Sequence, residues 1–107
     1  METFRIKKDD TKPYLAVTLQ SSDGTAVDLT DSAVKFNLGD SNFSNVHSGV
    51  ATITDASAGQ CEYRWEAAAT AAKGDYFGEF EITFSDATIM TLPNDHSLKV
   101  EIYEDYD

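Results

Sequence analysis

The chain has 107 residues and carries 19 Asp and Glu against 8 Lys and Arg, for a net charge of −11. Its size fits one domain spanning residues 1–107 with one core, and six Phe, five Tyr and one Trp supply the bulk for that core. The acidity excludes surfaces built for phosphate backbones or anionic membranes, which need clustered Lys and Arg, and a single cysteine, Cys61, excludes an internal disulfide.

The dominant hydrophobic period is two, which marks strands with one buried and one wet face. A weak strand is expected over residues 4–6. Leu15, Val17 and Leu19 then alternate with Ala16, Thr18 and Gln20, and Asp23-Gly24 suits a tight hairpin turn. Val34, Phe36 and Leu38 form the next inward row. Residues 39–48 are polar and rich in Ser and Asn, so they read as a loop. A weak strand over 50–54 follows, then Cys61, Tyr63 and Trp65 alternating with Glu62 and Arg64.

The alanine run between Glu66 and Ala72 predicts about one helical turn, closed by Gly74. Tyr76, Gly78, Phe80, Ile82 and Phe84 then form the longest alternating row, followed by a weak strand over 88–92 and a last strand with Leu98, Val100 and Ile102 inward. Strands at this spacing predict an all-β, immunoglobulin-like antiparallel sandwich of about seven to eight strands. Trp65 and Tyr76 are its expected central aromatics. Lys73-Gly74-Asp75-Tyr76 matches a tyrosine corner, and Gly78 stands where an antibody domain would place its second Cys.

No catalytic arrangement is legible. There is no Gly-x-Ser-x-Gly elbow, and His47 and His96 lie in predicted polar segments without a spaced partner. Two His and one Cys at scattered positions make no zinc pattern. Asp9, Asp10, Asp28, Asp31 and Asp40 would bind calcium only by converging at one end of a sandwich, and Asp more commonly serves turns. The six Gly are isolated, so no phosphate cradle is formed. The sequence therefore predicts no enzyme, cofactor, metal, nucleic acid or membrane partner. No apolar leader follows Met1, so folding in a reducing cytoplasm is expected.

Two features point to contacts. Half of the basic residues, Arg5, Lys7, Lys8 and Lys12, lie in the first thirteen positions, and the C-terminus is acidic with Glu101, Glu104, Asp105 and Asp107. Oppositely charged ends would dock neighbouring subunits, or simply solvate the chain. Phe77, Tyr103, Tyr106 and Phe43 fall on outward faces or loops. They suit the apolar centre of a protein interface or a sugar-stacking platform. The interface candidates are Arg5, Lys7, Lys8, Phe77, Tyr103 and Tyr106.

The order Phe4-x-Ile-Lys-Lys-x-Asp-Thr-x-Pro-x-Leu-x-Val-x-Leu19, then Asp23-Gly-Thr-x-Val-Asp-Leu-Thr30, then Val34-x-Phe-x-Leu38 resembles the N-terminal immunoglobulin-like domain of phage upper baseplate proteins. Gly59-Gln-Cys-Glu-Tyr-Arg-Trp65 and Lys73-Gly-Asp-Tyr-x-Gly-x-Phe-x-Ile-x-Phe84 extend the resemblance over nearly the whole chain. It implies a non-catalytic component of a tailed-phage virion, assembled with other virion proteins in a homo- or hetero-oligomer. The alternatives are a capsid decoration protein and a glycan-binding module for host attachment.

Overall fold

A computed structural model describes residues 3–93 and 98–104. The elements in chain order are β1 (Thr3–Lys7), β2 (Leu15–Thr18), β3 (Ala33–Gly39), β4 (Asn45–Val50), β5 (Thr52–Asp55) and β6 (Gln60–Tyr63). A 3₁₀ turn (Ala67–Thr70) follows, then β7 (Gly74–Thr83), β8 (Ile89–Leu92) and β9 (Lys99–Tyr103). The larger sheet runs β1-β9-β7-β3-β4, with β8 beside the second half of β7, and the smaller sheet runs β2-β6-β5. The two sheets pack face to face, so the fold is an immunoglobulin-like β-sandwich with nine strands among the described residues.

The alternation read from the sequence fixes which side chains face inward. Val34, Phe36 and Leu38 of β3, Phe80 and Ile82 of β7, and Val100 and Ile102 of β9 are buried, as are Leu15, Cys61 and Tyr63 from the smaller sheet. Burying each large side chain contributes roughly 1.5–3 kcal/mol. Phe36 is the hub. Its ring centroid lies 4.5 Å from that of Tyr63, 5.1 Å from Phe80 and 5.6 Å from Trp65. Phe4 stacks on the far side of Trp65 at 5.7 Å.

Gly78 is buried against this hub. A Cβ there would stand 2.9 Å from the Phe36 ring and 3.1 Å from Leu98, so an aromatic ring fills the space that a disulfide takes in antibody domains. The tyrosine corner is present: the Tyr76 hydroxyl donates to the Ala72 carbonyl at 2.9 Å. Tyr76 is thereby drawn to the corner, half-buried, and Phe36 holds the centre expected for it. The 3₁₀ turn is tied across the molecule. Its buried Thr70 donates from Oγ1 to the Asp10 carbonyl at 2.9 Å and accepts at its own carbonyl from the Asp9 N–H at 2.9 Å.

Two expectations are corrected. The polar segment 39–48 is not a loop throughout: after a turn at 40–44 it becomes β4, hydrogen-bonded to β3. Its Ser, Asn and His side chains hid a strand whose outward side faces water on the edge of the sheet. The sheets are also not wholly antiparallel, because β1 runs parallel to β9 from Thr3↔Lys99 to Lys7↔Tyr103. A period-two pattern specifies faces but not strand direction.

Candidate functional site

The charged residues singled out in the sequence converge on one edge. In the parallel β1–β9 ladder Arg5 is opposite Glu101, and its Nε donates to Glu101 Oε1 at 2.5 Å. The same guanidinium lies 5.0 Å over the Tyr103 ring. Lys8 Nζ is 3.7 Å from Glu104, which Lys73 also approaches at 3.7 Å. Lys7 is opposite Tyr103 in the ladder. The basic start and acidic end of the chain therefore meet each other within one molecule. Exposed pairs of this kind contribute at most about 1 kcal/mol each, but they charge the edge, and charge discourages strand pairing there. Tyr106 and His96 lie outside the described residues.

The opposite edge is built differently. Among the described strands β4 pairs with β3 alone, from Lys35↔Val50 to Gly39↔Asn45, and no described strand hydrogen-bonds its other side. The register skips Val46, which forms a bulge. The Ala51 N–H donates to the Val34 carbonyl at 2.9 Å. Antiparallel alternation then turns the backbone groups of Ser48 and Val50 outward. Val46 is 51% exposed and Val50 is 83% exposed. Through buried Ala51 the chain passes into β5, the edge of the smaller sheet. Residues 41–54 contain no Asp, Glu, Lys or Arg, the longest such run in the chain, bounded by Asp40 and Asp55. It holds all of β4 and all of β5 but Asp55. That run was the signal in the sequence, masked by its polar Ser and Asn.

This open edge is held firmly. The Tyr63 ring crosses the sandwich to lie against Gly49, where a Cβ would come within 2.8 Å of it. Its hydroxyl meets His47 Nε2 at 2.9 Å. Burial, and to a lesser degree the charge of Glu66, push the Tyr63 hydroxyl pKa above its ordinary value. The hydroxyl therefore stays protonated as a partner for His47, which anchors the strand from within.

At the start of β4 sits the pair Phe43 and Phe77, ring centroids 5.3 Å apart. Phe43 is 57% exposed and occupies the left-handed region at φ 62°, a conformation that a bulky side chain adopts only when its surroundings impose it. Asp40 does so. Its carboxylate accepts from the Asn42 N–H at 2.9 Å and the Ser44 N–H at 3.0 Å, and its carbonyl accepts from the Phe43 N–H at 2.9 Å. Behind the rings a hydrogen-bond chain runs from Asn45 Nδ2 to Ser48 Oγ at 2.8 Å and on to Asn37 Oδ1 at 2.7 Å. Phe77, Phe43, Asn37, Asn45 and Glu79 line a shallow depression on the outer face, with Gly39 as part of its floor.

Other candidate groups are occupied elsewhere. Cys61 is buried, and burial, helped by the charge of Glu62, pushes its thiol up to about 11, so it is a protonated core side chain at neutral pH. Asp28 accepts from the Thr30 hydroxyl and, secondarily, the Thr30 N–H, which hold its carboxyl below the usual range. With Asp40 also committed to its turn, the acidic residues considered for calcium do not converge. Among the described residues no group of three or more His, Cys, Asp or Glu is arranged to hold a metal ion.

No known family model matches this chain, and no curated protein matches it. Among solved structures it resembles CopC from Methylosinus trichosporium OB3b, at 14% sequence identity and a TM-score of 0.55. The match covers 98% of this chain and 87% of that one. What the two share is the sandwich. This corrects the expectation of a tailed-phage structural component. The residues that carried it are strand rows, a tight turn and a tyrosine corner, all properties of the fold, and the fold recurs over almost the full chain in a protein that is not a virion part.

Proposed function

We propose that this chain is a non-catalytic protein-recognition module that takes an extended segment of a partner as an added strand on β4. The observation that carries this reading is the uncharged run 41–54, which joins β4, an edge strand of the larger sheet, to β5, an edge strand of the smaller one. An edge of exposed valines without Lys or Pro is a template for strand pairing. In such complexes main-chain hydrogen bonds supply affinity and flanking side-chain pockets supply selectivity. Here Ser48 and Val50 offer the main-chain groups, and Phe43 and Phe77 offer an apolar anchor beside them.

The net charge of −11 sets the kind of partner. Two copies of the chain repel each other at long range, whereas a basic segment is attracted and steered. The reading is tested by amide hydrogen exchange with extended peptides of alternating β-branched and basic residues. The Ser48 and Val50 amides slow on binding, and Val50→Lys removes the effect. Protection appearing on β1 instead, or nowhere, refutes the reading. A dimer that strengthens with added salt and protects the same two amides replaces the partner with a second copy.

A further inference from the structure

We infer that the depression between Phe43, Phe77 and Glu79 is a receptor for a cationic side chain, a guanidinium or ammonium group. Glu79 stands half-buried in the middle of β7, opposite Asn37 of β3. Its carboxylate takes no hydrogen bond or ion pair from any described residue. The other polar groups of the wall are already engaged: Asn37 Oδ1 accepts from Ser48, and Asn45 bonds both Ser48 and the His47 N–H, the latter at 3.2 Å. Asp40, the nearest acid in sequence, is committed to its turn. Among the described residues lining the depression, Glu79 is thus the charged group that remains available to a ligand.

Its surroundings select the ligand's chemistry. A half-buried carboxylate gains most from a cation that replaces the water it has lost, and charge-assisted hydrogen bonds from guanidinium are among the strong ones. Aromatic faces attract the same cation through their quadrupole. Two Phe rings beside one carboxylate supply both terms in one place. An anion would meet Glu79 and the field of a chain at −11. A purely apolar group would strip the carboxylate of water and return nothing. Gly39, opposite Phe77 in the β3–β7 ladder, carries no side chain to fill the space. The left-handed Phe43 then has a physical purpose: the Asp40 turn holds its ring over that space.

The inference rests on the strand-addition reading only for the source of the cation, a basic residue of a bound segment. The test uses the full chain, labelled for NMR, and three probes. One is N-acetyl-arginine methylamide, one is a short peptide alternating Val and Arg, and one is the same peptide with citrulline, the neutral isostere, in place of Arg. The Arg peptide is expected to bind at least tenfold more tightly than the citrulline peptide and to shift the Phe77 and Glu79 resonances. Glu79→Gln should bring the two peptides to near-equal affinity while Ser48 and Val50 remain protected. Unchanged amide shifts elsewhere in that variant show that the fold is retained, and Phe43→Ala should weaken the Arg peptide by a smaller factor. Equal affinity for both peptides in the unmodified chain, with protection at Ser48 and Val50, overturns the cation receptor and leaves strand addition standing. Shifts at Phe77 and Glu79 with the free arginine derivative, without edge protection by either peptide, support the receptor and refute strand addition. Absence of both overturns both.

Discussion

The β1 and β4 edges of the larger sheet are made by opposite means. The β1 edge is charged and self-satisfied: Arg5 bonds Glu101 and covers Tyr103, and Lys8 pairs with Glu104. The β4 edge contains no Asp, Glu, Lys or Arg, exposes Val46 and Val50, and is braced from inside by Tyr63. One edge spends its side chains on intramolecular pairs, and the other leaves main-chain groups and apolar surface on offer. An acidic protein limits unspecific pairing at the edge it closes with charge and leaves the β4 edge open to a partner.

The comparison can be broken most severely at Gly49. Gly49→Val forces a branched side chain into the Tyr63 ring, and overpacking of this kind costs about 1–3 kcal/mol. The melting temperature should fall by several degrees, and β4 amides should lose more exchange protection than β1 amides. Equal loss along both edges would show that the Tyr63 brace is not specific to β4. Val50→Lys sharpens the contrast from the other side. It gives the open edge a gatekeeping charge and should weaken strand addition at least tenfold, with stability changed by less than about 0.5 kcal/mol, as for an ordinary surface substitution.

The smaller sheet beneath both edges has its own signature in pH. Cys61 is a thiol whose folded pKa is raised to about 11, above its value in an unfolded chain. Its contribution is fully present below the unfolded pKa and is lost as pH rises through the folded value. Denaturation midpoints should therefore decline between about pH 9 and pH 11, and Cys61→Ala should flatten that decline while lowering stability at neutral pH. Thiol reagents at pH 8 should modify Cys61 only as fast as the protein opens. The smallest effect is expected at the charged seam. Arg5→Ala should cost no more than about 1 kcal/mol, with the loss shrinking as salt is added. A larger, salt-independent loss would mean that packing over Tyr103, rather than charge, closes that edge.

Much of this architecture was readable without coordinates. The inward rows of β3, β6, β7 and β9, the 3₁₀ turn, the corner at Tyr76 and the packed Gly78 all follow from local pattern. Phe77 was also recognisable as outward-facing, since it falls between Tyr76 and Gly78 in an alternating row. β4 was lost because its edge position leaves it no continuous apolar row: its residues read as a polar loop until β3 is set beside them. In the sequence Phe43 reads as an exposed aromatic but not as half of a pair, and Glu79 as one acid among many.

The sequence by itself determined the inward rows of β3, β6 and β9 and the middle of β7, because strand periodicity is set by covalent geometry between adjacent residues. It also determined that the core closes without a disulfide. Only the tertiary structure decided which strands are edges, that the oppositely charged ends of the chain bond each other across 96 positions, and that Tyr63 reaches His47. Only it set Phe43 against Phe77 beside Glu79, whose carboxylate has no partner among the described residues. Those contacts join residues far apart in the chain, and their formation depends on how two sheets stack and on strand order, neither of which a period of two encodes.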